Sequence, residues 1–275
     1  MKLYLDGVGL LGPGLPHWAA GREILAGRQP YEPAAVALVP TDLLPVAERR
    51  RMTDTVKLAI AIASEAMAAA GADPRQTPSV FASSGGDGKT IEAILACLAA
   101  PEREVSPTRF HNSVHNAPSG YWSIATQSGA TTTSICAYDF SFGAGLLEAA
   151  SQAVAEETTV LLASYDLPYP PALHGVRPIE GIFGAGFVLS PRQSARSLAA
   201  LSVGLTRDAR AETVMARPDL EVLRAGNPTA RALPLLAALA CGVSREIVLR
   251  HVAGNTLVIG IEPFADPAGA AADAR

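Results

Sequence analysis

The sequence predicts a sheet-centred α/β fold. Three observations carry this: strand-like and helix-like segments alternate from end to end, two of them form strand–loop–helix units, and the apolar content is mainly small and aliphatic. Of 275 residues, 49% are hydrophobic, yet only 5% are aromatic and 17% charged. Ala, Leu and Val in closely packed elements therefore dominate. A chain of this length is one large domain or two modest ones and buries a substantial core. Alternating strands and helices arrange themselves around a sheet through right-handed crossovers.

Leu3–Leu11 reads as a first strand ending in a Gly/Pro turn, and Pro16–Ala26 as a helix closed by Gly27. Tyr31–Pro45 is proline-spaced and extended. Thr53-Asp54 caps a helix running to Gly71, whose stripe Val56, Ile60, Ala63, Met67 is backed by Leu58 and Ile62, so both faces are apolar and the helix is buried between layers. Ser79–Ser83 is a strand, Ser84–Gly88 a glycine loop and Lys89–Ala100 a helix. Thr131–Ile135, β-branched, passes through Cys136-Ala137-Tyr138-Asp139 into a helix from Phe140 to Ala155, which Asp139 is placed to cap. Thr158–Ser164 and Ile182–Leu189 are strands separated by a loop with Pro168, Pro170 and Pro171. Leu198–Leu205, Arg231–Cys241, Arg245–Val252 and Thr256–Ile261 follow as strand, helix, strand, strand. The tail after Phe264 is rich in Ala, Asp and Gly and is expected to fray. There is no internal repeat in sequence.

Charge and composition exclude several classes. With 22 Lys+Arg against 26 Asp+Glu the net charge is -4, and no basic run interleaved with aromatics offers a phosphate backbone its counter-charge, so nucleic acid is not an expected partner. The longest strongly apolar stretch, Leu233 to Val243, begins with a proline at 234 and falls far short of the roughly 20 residues that span a bilayer. Asp6, Gly7 and Gly9 interrupt the apolar start, which therefore reads as a strand and not as a signal peptide. The expected location is the cytoplasm. Cys97, Cys136 and Cys241 are scattered without CxxC spacing, as reduced thiols are.

Motifs of single-site chemistry are weak. Ser83-Ser84-Gly85-Gly86-Asp87-Gly88-Lys89-Thr90 ends like a phosphate-cradling loop, but serine stands where its first glycine belongs and no acidic magnesium partner is evident; a glycine turn opening a helix is the better reading. His111 and His115 have a metal-compatible spacing without a third ligand, and Pro107 and Pro118 argue against a regular helix through them; no metal is expected. No Gly-x-Ser-x-Gly elbow and no Gly-x-Gly-x-x-Gly fingerprint occur, which removes the serine-hydrolase and dinucleotide signatures. Cys136 lies at a strand-to-helix junction, where a helix N-terminus favours a thiolate. An inert structural cysteine and a nucleophile both remain open for it.

The ordered set of segments resembles the β-ketoacyl synthases of the thiolase superfamily over roughly the first 190 residues. Tyr4-Leu5-Asp6-Gly7-Val8-Gly9 with His17-Trp18 and Leu25-Ala26-Gly27 is similar to their opening strand, turn and helix. Thr55 to Gly71 resembles their long buried helix. Asn116-Ala117-Pro118-Ser119-Gly120 resembles the segment lining the acyl channel near the dimer interface, Gly129 to Glu148 the nucleophile elbow, and Phe183 to Leu189 the next strand. A closer resemblance is to short ketosynthase-like chain length factors of aryl polyene synthesis, through Ser106-Pro107-Thr108, Phe110 to Asn116, Gly120-Tyr121-Trp122-Ser123, Asp139-x-Ser141-Phe142 and Gly145 to Ala149. It implies a thiolase-like layered α/β/α/β/α fold with a shortened second half: one domain over 1–264 and a flexible tail over 265–275.

The departures set the functional expectation. Counting back from Gly145 puts Ala137 at the vestigial nucleophile position and Cys136 one residue early; a one-residue offset turns the side chain away, although Cys136 stays an alternative nucleophile. Decarboxylative condensation also needs two histidines to stabilise the enolate. His174 precedes the Phe183 strand and lacks the family's Thr-Gly-Thr, His251 lies near the end, and Pro228–Ala240 contains no histidine. No catalytic residue and no cofactor are expected. The resemblance implies a catalytic β-ketoacyl synthase subunit as heterodimer partner, whose acyl tunnel this chain closes, and an acyl carrier protein bearing a polyenoyl chain. Phe110, Tyr121, Trp122, Tyr138, Phe140 and Phe142 are the candidate stoppers, with Asn116, Gly120 and Asp139 beside them; core packing is the alternative role for about half of the aromatics. Steric fill of that kind discriminates by about 1–3 kcal/mol per methylene. The shortened half should leave sheet surface uncovered. Two rival readings are an acyltransferase or condensing enzyme using Cys136 and a scaffold subunit.

Overall fold

The computed structural model describes residues 1–265. The tail expected to be flexible lies, from residue 266 on, outside the described residues. Eight strands, β1 (Lys2–Leu11), β2 (Ser79–Ala82), β3 (Thr132–Ile135), β4 (Val160–Asp166), β5 (Phe183–Ser190), β6 (Ala199–Thr206), β7 (Arg245–Arg250) and β8 (Thr256–Pro263), form one sheet in the order β3-β2-β4-β5-β1-β6-β8-β7. The helices are α1 (Trp18–Leu25), α2 (Val46–Arg49), α3 (Asp54–Ala70), α4 (Gly88–Ala99), α5 (Pro107–Asn112), α6 (Ala117–Thr126), α7 (Ser141–Ala155), α8 (Pro171–His174), α9 (Pro218–Gly226) and α10 (Leu233–Cys241).

The sheet has an internal symmetry that the sequence hides. On one side of the β1–β6 seam stands the antiparallel pair β5–β4, on the other the pair β8–β7. Each pair follows a helix in the chain, α7 before β4 and α10 before β7. The first half then adds β2 and β3, both parallel to β4; the second half adds nothing among the described residues. The thiolase-like α/β architecture is thus present with its second half cut down, and the half-sheets are joined edge to edge.

The long helix behaves as its sequence predicts. The Thr53 side chain accepts the Val56 N–H at its start, and Gly71, at φ 63, ends it in the left-handed conformation that glycine adopts without strain. α3 packs on β1, β5 and β4, with α6 beside it. Its Glu65 carboxylate accepts the backbone N–H groups of Leu10 (2.9 Å) and Trp18 (2.7 Å), fastening the first strand and first helix to this layer. Burial pushes that carboxyl above its usual range while the two N–H donors oppose the shift. The opposite face of the sheet shares one core with α7, α10 and α1, from Phe142, Leu146 and Phe187 to Leu233, Leu236, Ile247 and Ile259.

The other face of β6–β8–β7 is bare, as the shortening implies. It presents Ser202, Gly204, Gly260, Glu246 and Glu262 beside Val248 and a partly exposed Val258, so water replaces the missing layer over a mainly polar surface. Pro107 and Pro118 sit in the first turns of α5 and α6, where a missing N–H costs nothing, and as expected no regular helix runs through His111 and His115, because α5 ends at Asn112 and α6 begins at Ala117. One sequence expectation is corrected. Asp139 does not cap α7, and its carboxylate faces Arg177 instead. Helix α9 is an element beyond those the sequence predicts.

Candidate functional site

β3 runs directly into a sharp turn before α7. Ile135 ends the strand, Tyr138 has φ 54, and a 3-10 turn over Tyr138–Phe140 leads into Ser141. The Ser141 hydroxyl accepts the Ala137 N–H (3.0 Å) and donates to the Tyr138 carbonyl (2.7 Å), closing the turn on itself. A positive φ at a bulky residue is a strained backbone that its surroundings must hold. The count from Gly145 falls on Ala137; the strained position is one residue later, on Tyr138.

What holds it comes from the proline-rich segment after β4. The Arg177 guanidinium lies over the Tyr138 ring, 3.5 Å from its centroid, and donates to Asp139 Oδ1 at 2.9 Å. Tyr169, from the same segment, fills the concave side of the glycine loop: a Cβ added at Gly85 would stand 1.5 Å from its hydroxyl, and one at Gly88 2.4 Å from its ring. The glycines are thus a seat for an aromatic ring, and Lys89 pairs with Asp54 at 3.0 Å. Cys136 is exposed, its thiol donating to the Ser84 carbonyl at 3.2 Å.

Below the loop lies Asp166, at the end of β4 and wholly buried. Its Oδ1 accepts the Ser84 N–H and hydroxyl (2.8 Å each) and the Ser83 hydroxyl (3.2 Å), and its Oδ2 accepts the Thr229 hydroxyl (2.9 Å). Burial drives its pKa up, and these four neutral donors only partly oppose that. Asp166 thereby ties the glycine loop to the Asn227–Thr229 turn that opens the second-half helix.

The histidines are dispersed. His111 meets the Tyr121 ring edge to face, His115 Nε2 meets the Ser83 carbonyl at 3.0 Å, His17 caps α1, and His174 lies in α8. His251 sits beside Phe140, its ring near the place where a Cβ on Gly143 would be, and its Nδ1 is buried without a partner. Burial pulls its pKa below the ordinary 6.5. The folded group therefore contributes stability above its unfolded pKa, lost as the pH falls through the folded value. The thermal midpoint is expected to fall between about pH 7.5 and about pH 5 more in the wild type than in His251→Leu; parallel profiles would contradict this. Among the described residues, no group of three or more His, Cys, Asp and Glu side chains is arranged to hold a metal ion.

The structure separates the candidate stoppers. Tyr121, Trp122 and Phe142 are core residues, 2% exposed or less. Phe110 is 68% and Tyr138 57% exposed, while Phe140 is half-buried against His251. Asn116 and Gly120 are exposed along α6, and a side chain at Gly120 would meet nothing within 4 Å. Tyr138, Asp139 and Cys136 come together at the turn; Phe110, Asn116 and Gly120 belong to the α5–α6 surface. Sequence reasoning missed Arg177, Tyr169 and Asp166. Only Asp166 carried a signal, a lone acid closing the apolar run Val160–Tyr165.

A second surface adjoins the turn. Only Thr90 of α4 is buried, although the helix carries Ile91, Ile94, Leu95 and Leu98. Leu95, Leu98, Phe110, Val114 and Ile124 are all exposed. α6 is tied to β3 through the Ser119 and Ser134 hydroxyls (3.2 Å). As a sheet edge, β3 carries Thr132, Thr133, Ser134 and Ile135 without a charge, whereas the opposite edge, β7, is guarded by Arg245, Glu246 and Arg250.

Residues 18–225 match the family model described as beta-ketoacyl synthase, N-terminal domain. No curated protein matches the sequence significantly. Among solved structures, the chain is similar to one of a ketosynthase (ApeO) in complex with its chain length factor (ApeC) from Xenorhabdus doucetiae, at 20% identity and TM-score 0.70, covering 94% of this chain and 99% of that one. It is similar to the ishigamide ketosynthase/chain length factor at 14% identity and TM-score 0.74, covering 96% and 100%. A third similar structure is AntDE:AntF, a type II PKS acyl-carrier protein in complex with its ketosynthase bound to the hexaketide, at 12% identity and TM-score 0.72, covering 96% and 99%. At these identities the structural likeness establishes the fold. The family match spans most of the chain, and this protein belongs to the β-ketoacyl synthase family, with the family's N-terminal domain at residues 18–225.

Proposed function

We propose that this chain is a non-catalytic ketosynthase homologue, a chain length factor that pairs with an active β-ketoacyl-ACP synthase in the cytoplasm. Its role is to set the length of a carrier-bound polyenoyl chain in an aryl polyene-type pathway. The observation that carries the reading is the turn itself. Its strained position holds Tyr138 under the Arg177 guanidinium, and the histidines beside it are taken up elsewhere, His115 by the Ser83 carbonyl and His251 by packing on the Phe140 ring. A thiolate acceptor and enolate-stabilising donors are the chemistry that condensation requires. Two similar structures contain a chain length factor beside a ketosynthase, which supports a partner of that kind. An uncharged sheet edge is a template for pairing with another chain, and the apolar strip from Leu95 to Ile124 flanks it.

Co-expression with a full-length catalytic ketosynthase tests this. The pair is expected to co-purify, and Ile124→Asp, at an exposed position, to abolish co-purification while leaving the unfolding free energy within the small range of surface substitutions, about 0.5 kcal/mol. In the assembled pair, Phe110→Ala is expected to lengthen the product. Turnover of malonyl carrier protein by the isolated chain would refute the proposal. The exposed thiol of Cys136 favours the second reading, an acyltransferase or condensing enzyme: a carrier-derived acyl adduct that disappears in Cys136→Ala would establish it.

A further inference from the structure

Leu167 to Gly181 crosses the strand-to-helix turn as a strap. It leaves β4, forms the single turn α8, and returns to the core at Ile179, which is 2% exposed. Its own backbone bonds are few: Leu173 and His174 N–H donate to the Pro170 carbonyl, Val176 and Arg177 N–H to Leu173, and Glu180 N–H to Gly226. Such a segment has little to hold it except its side chains.

Two side chains do so at separate places. Tyr169 occupies the saddle of Gly85 and Gly88. Arg177 reaches the strained turn, stacking on Tyr138 and pairing with Asp139, and it is largely buried although its Nε has no partner. A cavity of about 310 Å³ lies on one side of it, with Ile91, Tyr169 and Leu173 in its walls. Another of about 320 Å³ lies on the other side, against Asp139, Glu180 and Arg231. Val176 and Arg177 line both. Val176 is exposed, so the Arg177 side chain is the partition between an apolar space and a polar one.

We infer that the strap is a latched lid: Arg177 locks it onto Tyr138 and Asp139, and its release joins the two cavities into one amphipathic cleft beside the turn. The lock serves both parts. The guanidinium's stacking and ion pair hold Tyr138 at positive φ, and the turn in return anchors a segment with little hydrogen bonding of its own. The inference concerns the isolated chain and does not rest on the partner proposed above.

Hydrogen–deuterium exchange of the full chain reads it directly. Arg177→Ala is expected to speed exchange over residues 168–181 and 136–141 on the order of tenfold, with β6 and β8 unchanged. Arg177→Lys, which keeps the charge but not the planar stack, should fall between. Molar salt should accelerate the same segments in the wild type and leave Arg177→Ala unaffected, because the Asp139 side of the ion pair is open to solvent and is screened. Nile red, an uncharged apolar dye, should bind the alanine variant more tightly than the wild type. If Arg177→Ala does not fold, Asp139→Asn removes the charge partner while keeping both side-chain shapes, and the same two segments are read. Exchange in the strap and turn that is unchanged, or that rises equally throughout the sheet, would overturn the inference.

Discussion

Asp166→Ala is expected to cost about 3 kcal/mol in urea unfolding at neutral pH, without a change in the denaturant slope. The carboxylate is the shared acceptor for four donors contributed by the glycine loop and the Asn227–Thr229 turn. One of the hydroxyls has another outlet, since Thr229 Oγ1 lies 2.9 Å from Ser164 Oγ; the Gly86 N–H at 3.1 Å from Ser83 Oγ is itself a donor and offers that hydroxyl none. The Ser84 N–H has none and would be left buried and unpaired. Asp166→Asn should retain most of the network, remaining within about 1 kcal/mol of the wild type, because it also removes a charge that burial penalises. The pH dependence has a definite sign. Burial raises the folded pKa above 3.8, so native Asp166 binds its proton more readily than the unfolded chain does. The wild type should therefore gain on Asp166→Asn as the pH falls from neutrality through the folded pKa toward the unfolded value. An alanine variant as stable as the wild type would remove Asp166 as the link between the two halves.

The chain wrote its regular elements more plainly than its site. Strands β1, β4, β5 and β8 and helix α3 were legible because alternation, caps and terminal glycines are local signals. α5 and α6 were not, since a proline reads as a breaker unless its position in the first turn is known. The turn before α7 was legible as a junction, but its strained residue was not: backbone conformation at Tyr138 depends on Arg177, thirty-nine positions downstream. Tyr169 and Arg177 share no spacing with the glycine loop or the elbow; only the fold of the strap brings them there. The aromatics divided for the same reason. Tyr121 and Trp122 are adjacent in an apolar helix and both enter the core, whereas Phe110, on a short helix with few contacts, stays at the surface.

Gly9→Ala is expected to be more damaging than its size suggests, at least about 3 kcal/mol. Gly9 and Gly186 are directly paired across β1 and β5. A Cβ at Gly9 would stand 2.1 Å from the Ile62 carbonyl oxygen, and one at Gly186 2.5 Å from the same atom. That oxygen belongs to the backbone of a seventeen-residue helix, so no rotamer change relieves the clash. α3 would have to lift from the sheet, and with it Glu65 and the two N–H groups it holds. Gly7 repeats the contact one turn along, 2.2 Å from the Ala66 carbonyl. These glycines let helix and sheet approach more closely than side chains allow, a use of glycine separate from its tolerance of positive φ. Gly204→Ala provides the control. It lies on the bare face of β6 with nothing within 4 Å of an added Cβ, so alanine there should be neutral or stabilising by about 0.4–1 kcal/mol through the unfolded chain. Equal effects at Gly9 and Gly204 would mean that the close seating of α3 contributes nothing to the fold; a loss confined to Gly9 would locate the main constraint on the first half in that single helix–sheet contact.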